Sequence, residues 1–212
     1  MERFLIFIKH RLPFLWVVIE EVNNLLFSLL FIKKLDKTLA PVFAEHDQTP
    51  YSYRVLHRGD TEALYYLIAT QDPADLEYFN PHGFDRITIE RQFKNRSFLM
   101  MGSFDGDSLI GYFFLRFFIN RKSFVGRLID KNYRGHGIGR VMNDIMYNIS
   151  WRMKFRCLST ISRNNSLVIK AHSQNHLMRV LKELNNNYLL VEFIPEKRSG
   201  EVSDKRPAEN YL

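Results

Sequence analysis

The sequence predicts an α/β fold, a sheet flanked by helices and preceded by a long amphipathic helix, on three observations. At residues 133–144, YRGHGIGRVMND packs three glycines into five positions and then turns into a run with helical spacing. Upstream, Asp105-Gly106-Asp107 separates two apolar runs, a strong short-range hairpin signal. Between Phe4 and Ile32 the apolar residues gather on one arc of a helix.

That N-terminal helix comes first in the chain. Placed at about 100° per residue, Lys9, Pro13, Glu20, Glu21, Asn23, Asn24 and Ser28 share one broad arc, and Leu12, Leu15, Val18, Ile19, Val22, Leu25, Leu26, Leu29 and Leu30 the other. No uninterrupted apolar stretch reaches the roughly 18–20 residues of a bilayer span. Its basic ends, Lys9-Arg11 and Lys33-Lys34-Lys37, with Trp16 and several Phe, suit a helix lying in a membrane interface. A helix packed on the domain, or on a second copy of itself through residues 4–32, fits the same pattern. The small-residue cleavage site of a signal peptide is missing. Residues 1–38 therefore read as this helix and 39–50 (LAPVFAEHDQTP), with two prolines, as a linker.

Residues 51–195 read as one domain. Tyr51 to His57 alternates as a strand, Asp60 is placed to cap a helix from Thr61 to Thr70, and Asp72 to Asp85 is an irregular aromatic loop before a helix from Arg86 to Lys94. Ser97 to Phe104, Ser108 to Ile119 and Ser123 to Ile129 form a three-strand meander. The glycine loop then feeds a helix with Val141, Met142, Ile145 and Met146 on one face. Cys157 to Ser162 is the next strand. A final helix opens at Asn164-Asn165-Ser166, with a turn at Asn185 to Asn187 after it. Residues 196–212, charged and nearly free of core residues, read as a flexible tail.

Composition narrows the function. With 212 residues, 46% hydrophobic content and 18 Phe, the chain has ample material for a core. Its net charge of +7 suits phosphorylated ligands or anionic membrane surfaces. The bases are spread along the chain with no nucleic-acid motif, so no nucleic acid is expected. The single Cys157 excludes an internal disulfide and fits a reducing, cytoplasmic compartment, with peripheral contact at the inner membrane face if the first helix binds lipid. The histidines lack metal-ligand spacing, so no metal is expected.

Bare glycine backbone at a helix start offers free N–H groups and the positive end of the dipole, a ready anion site. A P-loop is excluded because Arg140-Val141 stand where Lys and a hydroxyl would be, and a dinucleotide fingerprint because the spacing is G-x-G-x-G. Arg134-Gly135-His136-Gly137-Ile138-Gly139 instead resembles the acyl-CoA loop of the GNAT superfamily of N-acyltransferases, Gln/Arg-x-x-Gly-x-Gly/Ala, at all three defined positions. The order of elements from Tyr53 to Ile194 resembles that family too.

The resemblance implies a central mixed β-sheet, acetyl-CoA as co-substrate, and acetyl transfer to a primary amine by direct attack. It assigns the pyrophosphate to amides of His136, Gly137, Ile138, Gly139 and Arg140, with Arg134 and Arg140 adding charge, Gly135 in the loop and Asn165 heading the last helix. A main-chain N–H at Leu128 or Ile129 would polarise the thioester carbonyl. The family commonly carries its general acid as a Tyr on the last helix; His172 stands there instead, and acid, ligand and packed residue are its three readings. Asp130, at the strand end, is a candidate base or a solvated end. His82 and Asp85 lie in the loop expected to cover the acceptor, and Asp85 also reads as a helix N-cap. Arg116, among aromatics, would hold an acceptor's carboxylate or phosphate, or an internal carboxylate. NPHGFD (residues 80–85) resembles a segment of relatives acting on small molecules, so the expected acceptor is a small-molecule amine such as an amino sugar or nucleotide-linked amino sugar. A protein or peptide amine, and a non-catalytic acyl-CoA-binding module, are the alternatives.

Overall fold

The structure, a computed structural model, describes residues 13–46, 50–165, 168–169 and 175–196. Seven strands form one sheet: β1 (Tyr51–Val55), β2 (Phe98–Asp105), β3 (Ser108–Phe118), β4 (Lys122–Ile129), β5 (Arg156–Ser162), β6 (Met178–Leu184) and β7 (Tyr188–Phe193), in the order β1-β2-β3-β4-β5-β7-β6. The meander β2–β3–β4 is antiparallel, turning at Gly106 and Arg121 with φ of 57° and 59°. The β4–β5 pair is parallel, so the sheet is mixed. Their register covers only Lys122–Phe124 against Arg156–Leu158; beyond it, one side-chain bond from Ser159 to the Val125 carbonyl (3.1 Å) links the strands. Among the described residues, β4 has no strand partner on that side past Val125.

Helices with described bounds flank the sheet: α1 (Pro13–Glu45), α2 (Thr61–Ala69), α3 (Pro73–Leu76), α4 (Arg86–Gln92) and α5 (Ile138–Arg152). Side chains alternate across the sheet, so each face builds its own core. Under α1 and α5 lie Met101, Phe113, Leu115 and Phe117 with Met142, Ile145 and Ile149. Under α2 and α4 lie Phe98, Met100, Tyr112 and Phe114 with Leu64, Ile68 and Ile89.

Two expectations need correction. Residues 39–45 are helix rather than linker, because α1 continues through Pro41. Proline removes one helical hydrogen bond, but Val42 beyond it is fully buried, and Phe27, Leu35 and Val42 belong to the main core. The first helix is thus part of the domain, not an appendage to it. Likewise, the stretch read as the end of a final helix is β6, an edge strand whose middle five residues are exposed. Its alternation is masked by charge, and pairing with β7 decides it. The expected turn at Asn185–Asn187 is present as a 3-10 turn, with Asn186 at φ 60°. The residue 196–212 tail lies outside the described residues except for Glu196.

Of the polar arc read for α1, Glu20, Asn23 and Asn24 face the protein, while Glu21 is exposed. Asn23 donates to the Phe117 carbonyl (2.9 Å) and Ser97 Oγ (3.1 Å) and accepts from the Ile119 amide (3.1 Å). Asn24 accepts from the Arg96 amide (2.8 Å), and Glu20 pairs with Arg116.

Candidate functional site

Strand β4 delivers the chain to the glycine loop. Backbone groups alternate in direction along a strand. The Asp130 amide donates to Ile110 on β3 (2.9 Å), whereas the Val125 carbonyl accepts from the β5 side. By that alternation Leu128 turns its N–H to β3, and Ile129 turns its N–H into the space where β5 has left the ladder. Of the two candidate donors, Ile129 is the available one; Leu128 is a core residue of the other face.

The loop itself is built for close approach. Gly135 and Gly137 have φ of 84° and 81°, left-handed values that other residues resist, and a Cβ on either would meet nothing within 4 Å. Gly137 caps α5 without any side-chain bond. Arg140 and Val141 donate to its carbonyl, so the amides of Ile138 and Gly139 precede the intrahelical ladder. Gly139 serves a different end: its Cβ would lie 3.0 Å from Arg127 Nε and Ile129 Cδ1, so it lets α5 lie close on β4. His136 and Arg140 are exposed.

Further charged groups, outside the expected site residues, stand here. Arg127, inside β4, donates to Asn143 Oδ1 on α5 (2.5 Å); burial lowers its affinity for a proton, and its described partner is an amide rather than a carboxylate. Like Arg116, it is a cation within an apolar strand. Asp75 on α3 pairs with Arg134 at 2.8 Å, and Asp72 with Lys131 at 3.4 Å. Helix α3 is thereby tied to the loop.

Asp130 and Asp85 both sit at caps. Asp130 caps the turn after β4 through the Asn132 amide (2.8 Å), and Asp85 caps α4, with Thr88 bonds holding its carboxyl below the usual range. Asn165 accepts from the Val168 amide (3.1 Å). Arg116 pairs with Glu20 near the end of β3 that is remote from the glycine loop, the internal-carboxylate arrangement expected as one of its two readings. His172 lies outside the described residues.

His82 reaches Tyr112. Its Nδ1 lies 2.7 Å from the Gly83 carbonyl, which can only accept, so Nδ1 carries the proton. Nε2 then accepts from the Tyr112 hydroxyl at 2.8 Å. Burial pushes His82 below the usual imidazole value and Tyr112 well above its own, so both are neutral. Both ring nitrogens of His82 are thus engaged within the protein.

Beside α3 lies a cleft of about 460 Å³, walled by Ile68, Pro73, Leu76 and Phe84, with Gln71 and Glu77 also lining it. Gln71 is buried; its Nε2 donates to Leu67, while Oε1 has no described partner. Phe84 stacks on Phe79, which lies against Gly126 of β4, so one aromatic layer separates cleft and strand.

No family model matches the sequence, and no curated protein does. Solved structures do match in shape. The PaiA N-acetyltransferase from Thermoplasma acidophilum, solved with coenzyme A, aligns over 69% of this chain and all of its own at 17% identity, with a TM-score of 0.58. The fold is that of the GNAT acetyltransferases. The GNAT domain of S. lividans PAT matches 66% of this chain and 88% of its own at 13% identity (TM-score 0.58). YncA, a putative acetyltransferase from Salmonella typhimurium with acetyl-CoA, matches 68% and 91% at 14% identity (TM-score 0.51). In this chain the GNAT fold brings Ile129, Arg134 and the glycine amides to one edge of β4.

Proposed function

We propose that the chain is an acyl-CoA-dependent N-acetyltransferase acting on a small-molecule primary amine. The observation that carries this is the start of α5, capped by no side chain, where Gly135 and Gly137 leave open space beside the edge of β4 that has no strand partner among the described residues. That edge and those amides fit a thioester arm and a pyrophosphate, and two similarly folded proteins were solved with coenzyme A or acetyl-CoA. Residues 136–140 would hold the phosphates, Arg134 would add charge, and the Ile129 N–H would face the carbonyl to be polarised. When bound, acetyl-CoA supplies the activated acetyl group.

The cleft beside α3 is the proposed acceptor site. Glu77 favours a cation, and the buried Gln71 Oε1 offers one acceptor to a ligand N–H or O–H. Apart from Tyr65 the remaining wall is apolar. An amine with an apolar body fits that lining better than an amino sugar, whose hydroxyls would lose their water partners there. Similarly folded enzymes include one for the N-terminal serine of a ribosomal protein and one for spermidine, so the fold alone does not select the acceptor. His172 is the proposed acid for the departing thiolate.

The experiment is acetyl-CoA binding by calorimetry, followed by thiol release with phenethylamine and glucosamine offered separately. Binding without thiol release from a broad amine panel means a non-catalytic module. In the enzyme, His172→Ala lowers turnover by about 10²-fold while acetyl-CoA affinity stays within a few-fold; unchanged turnover removes the acid role.

A further inference from the structure

Near its start helix α1 meets the domain through polar side chains, and farther along through Phe27, Leu35 and Val42. Glu20, Asn23 and Asn24 engage Arg116, Phe117, Ile119 and Arg96, and these bonds fix the helix's rotation. The apolar arc is therefore turned outward: Val18, Val22, Leu25, Leu29 and Leu30 are 41–73% exposed. The domain's core does not call on them, since Phe27, Leu35 and Val42 already fill the inward face. A contiguous aliphatic row in water marks a surface that something covers.

The charge around the row selects its partner. Lys33 and Lys37 continue the exposed surface along α1. Next to them Lys34, whose ammonium is lowered by burial and by neighbouring Lys154 and Arg121, donates to the Met153 carbonyl. Arg121 lies over the Phe31 ring at 5.6 Å. Against these cations the same stretch of α1 exposes Glu21 and Asp36, while Glu20 is engaged by Arg116. Among the described residues no helix is long and apolar enough to cross a membrane, so a lipid contact would lie in the plane of the interface.

We propose that the outward face of α1 is a docking surface for an anionic lipid bilayer, with Leu25, Leu29 and Leu30 at the acyl boundary and Lys33 and Lys37 at the headgroups. A second copy of the chain would present the same positive surround, so anionic headgroups complement this face better.

The test is co-sedimentation of the full chain with phosphatidylcholine vesicles, alone or enriched in phosphatidylglycerol. Binding to the anionic vesicles is expected to be at least about tenfold tighter, since each surface lysine contributes about 1 kcal/mol, and to weaken with salt. The double variant Leu25→Glu/Leu29→Glu should lose binding, and Lys33→Glu/Lys37→Glu should lose the preference for anionic lipid. Both should unfold at the wild-type temperature, because the replaced side chains lie outside the core. Three outcomes overturn the proposal: no preference for anionic lipid, variants that bind as the wild type does, or a lipid-free dimer in sedimentation velocity that Leu29→Glu dissociates.

Discussion

Asp75 and Arg134 form a 2.8 Å ion pair across the boundary between helix α3 and the glycine loop. The guanidinium proposed to meet phosphate is thus already occupied by a carboxylate whose helix walls the proposed acceptor cleft. Phosphate and Asp75 compete for it. Asp75→Asn should raise acetyl-CoA affinity by about two- to fivefold, the span of an exposed ion pair, as read by calorimetry. A fall in affinity would mean that Asp75 instead holds the loop in its binding shape.

The two glycines around the helix start should fail differently. Gly137→Ala places a Cβ at φ 81°, costing about 1–2 kcal/mol of stability, and leaves α5 on the sheet. Gly139→Leu drives its side chain into Arg127 and Ile129 and should shift α5 from β4. Urea unfolding measures the first. Loss of a crosspeak between Ile129 and α5 in NMR spectra reports the second.

His82 makes stability depend on pH with a definite sign. Burial lowers its proton affinity in the folded state, while the unfolded ring keeps the ordinary value of 6.5. Below that value the unfolded chain binds more protons, so stability is full above about pH 6.5 and is lost as the pH falls toward the folded value. Denaturant unfolding at pH 7.5 and pH 5.5 should differ more in the wild type than in His82→Gln. Equal differences would assign the pH dependence to other groups.

Tyr112→Phe removes the proton donor to His82 Nε2 and leaves that nitrogen without its described partner. Such a loss costs about 1–3 kcal/mol. The expected result is a lower urea midpoint with an unchanged slope.

Removing residues 1–46 should not yield a soluble domain. Phe27, Leu35 and Val42 are 0–2% exposed, and Phe27 stacks on Phe117 at 4.9 Å. Their loss uncovers the face of the sheet beside α5, and the truncated chain should aggregate on gel filtration. A monodisperse, cooperatively unfolding fragment would show that the sheet stands without α1.

What the sequence alone determined were features written within a few residues of one another: the Asp-Gly hairpin, the meander, the glycine entry to α5, and the caps at Asp85 and the Asn185–Asn187 turn. Local dihedral preference and periodicity specify these, whatever lies elsewhere in the chain. Tertiary structure decided what depends on distant partners. Polar Asn23 and Asn24 face inward because unpaired backbone groups at residues 96, 117 and 119 need them, and no periodicity reveals that. Residues 178–184 become a strand because β7 offers a ladder, and Pro41 stays in a helix because Val42 finds a core. The pairing of Asp75 with Arg134, 59 residues apart, belongs to the same class: each charge alone reads as surface, and the fold brings them within 2.8 Å.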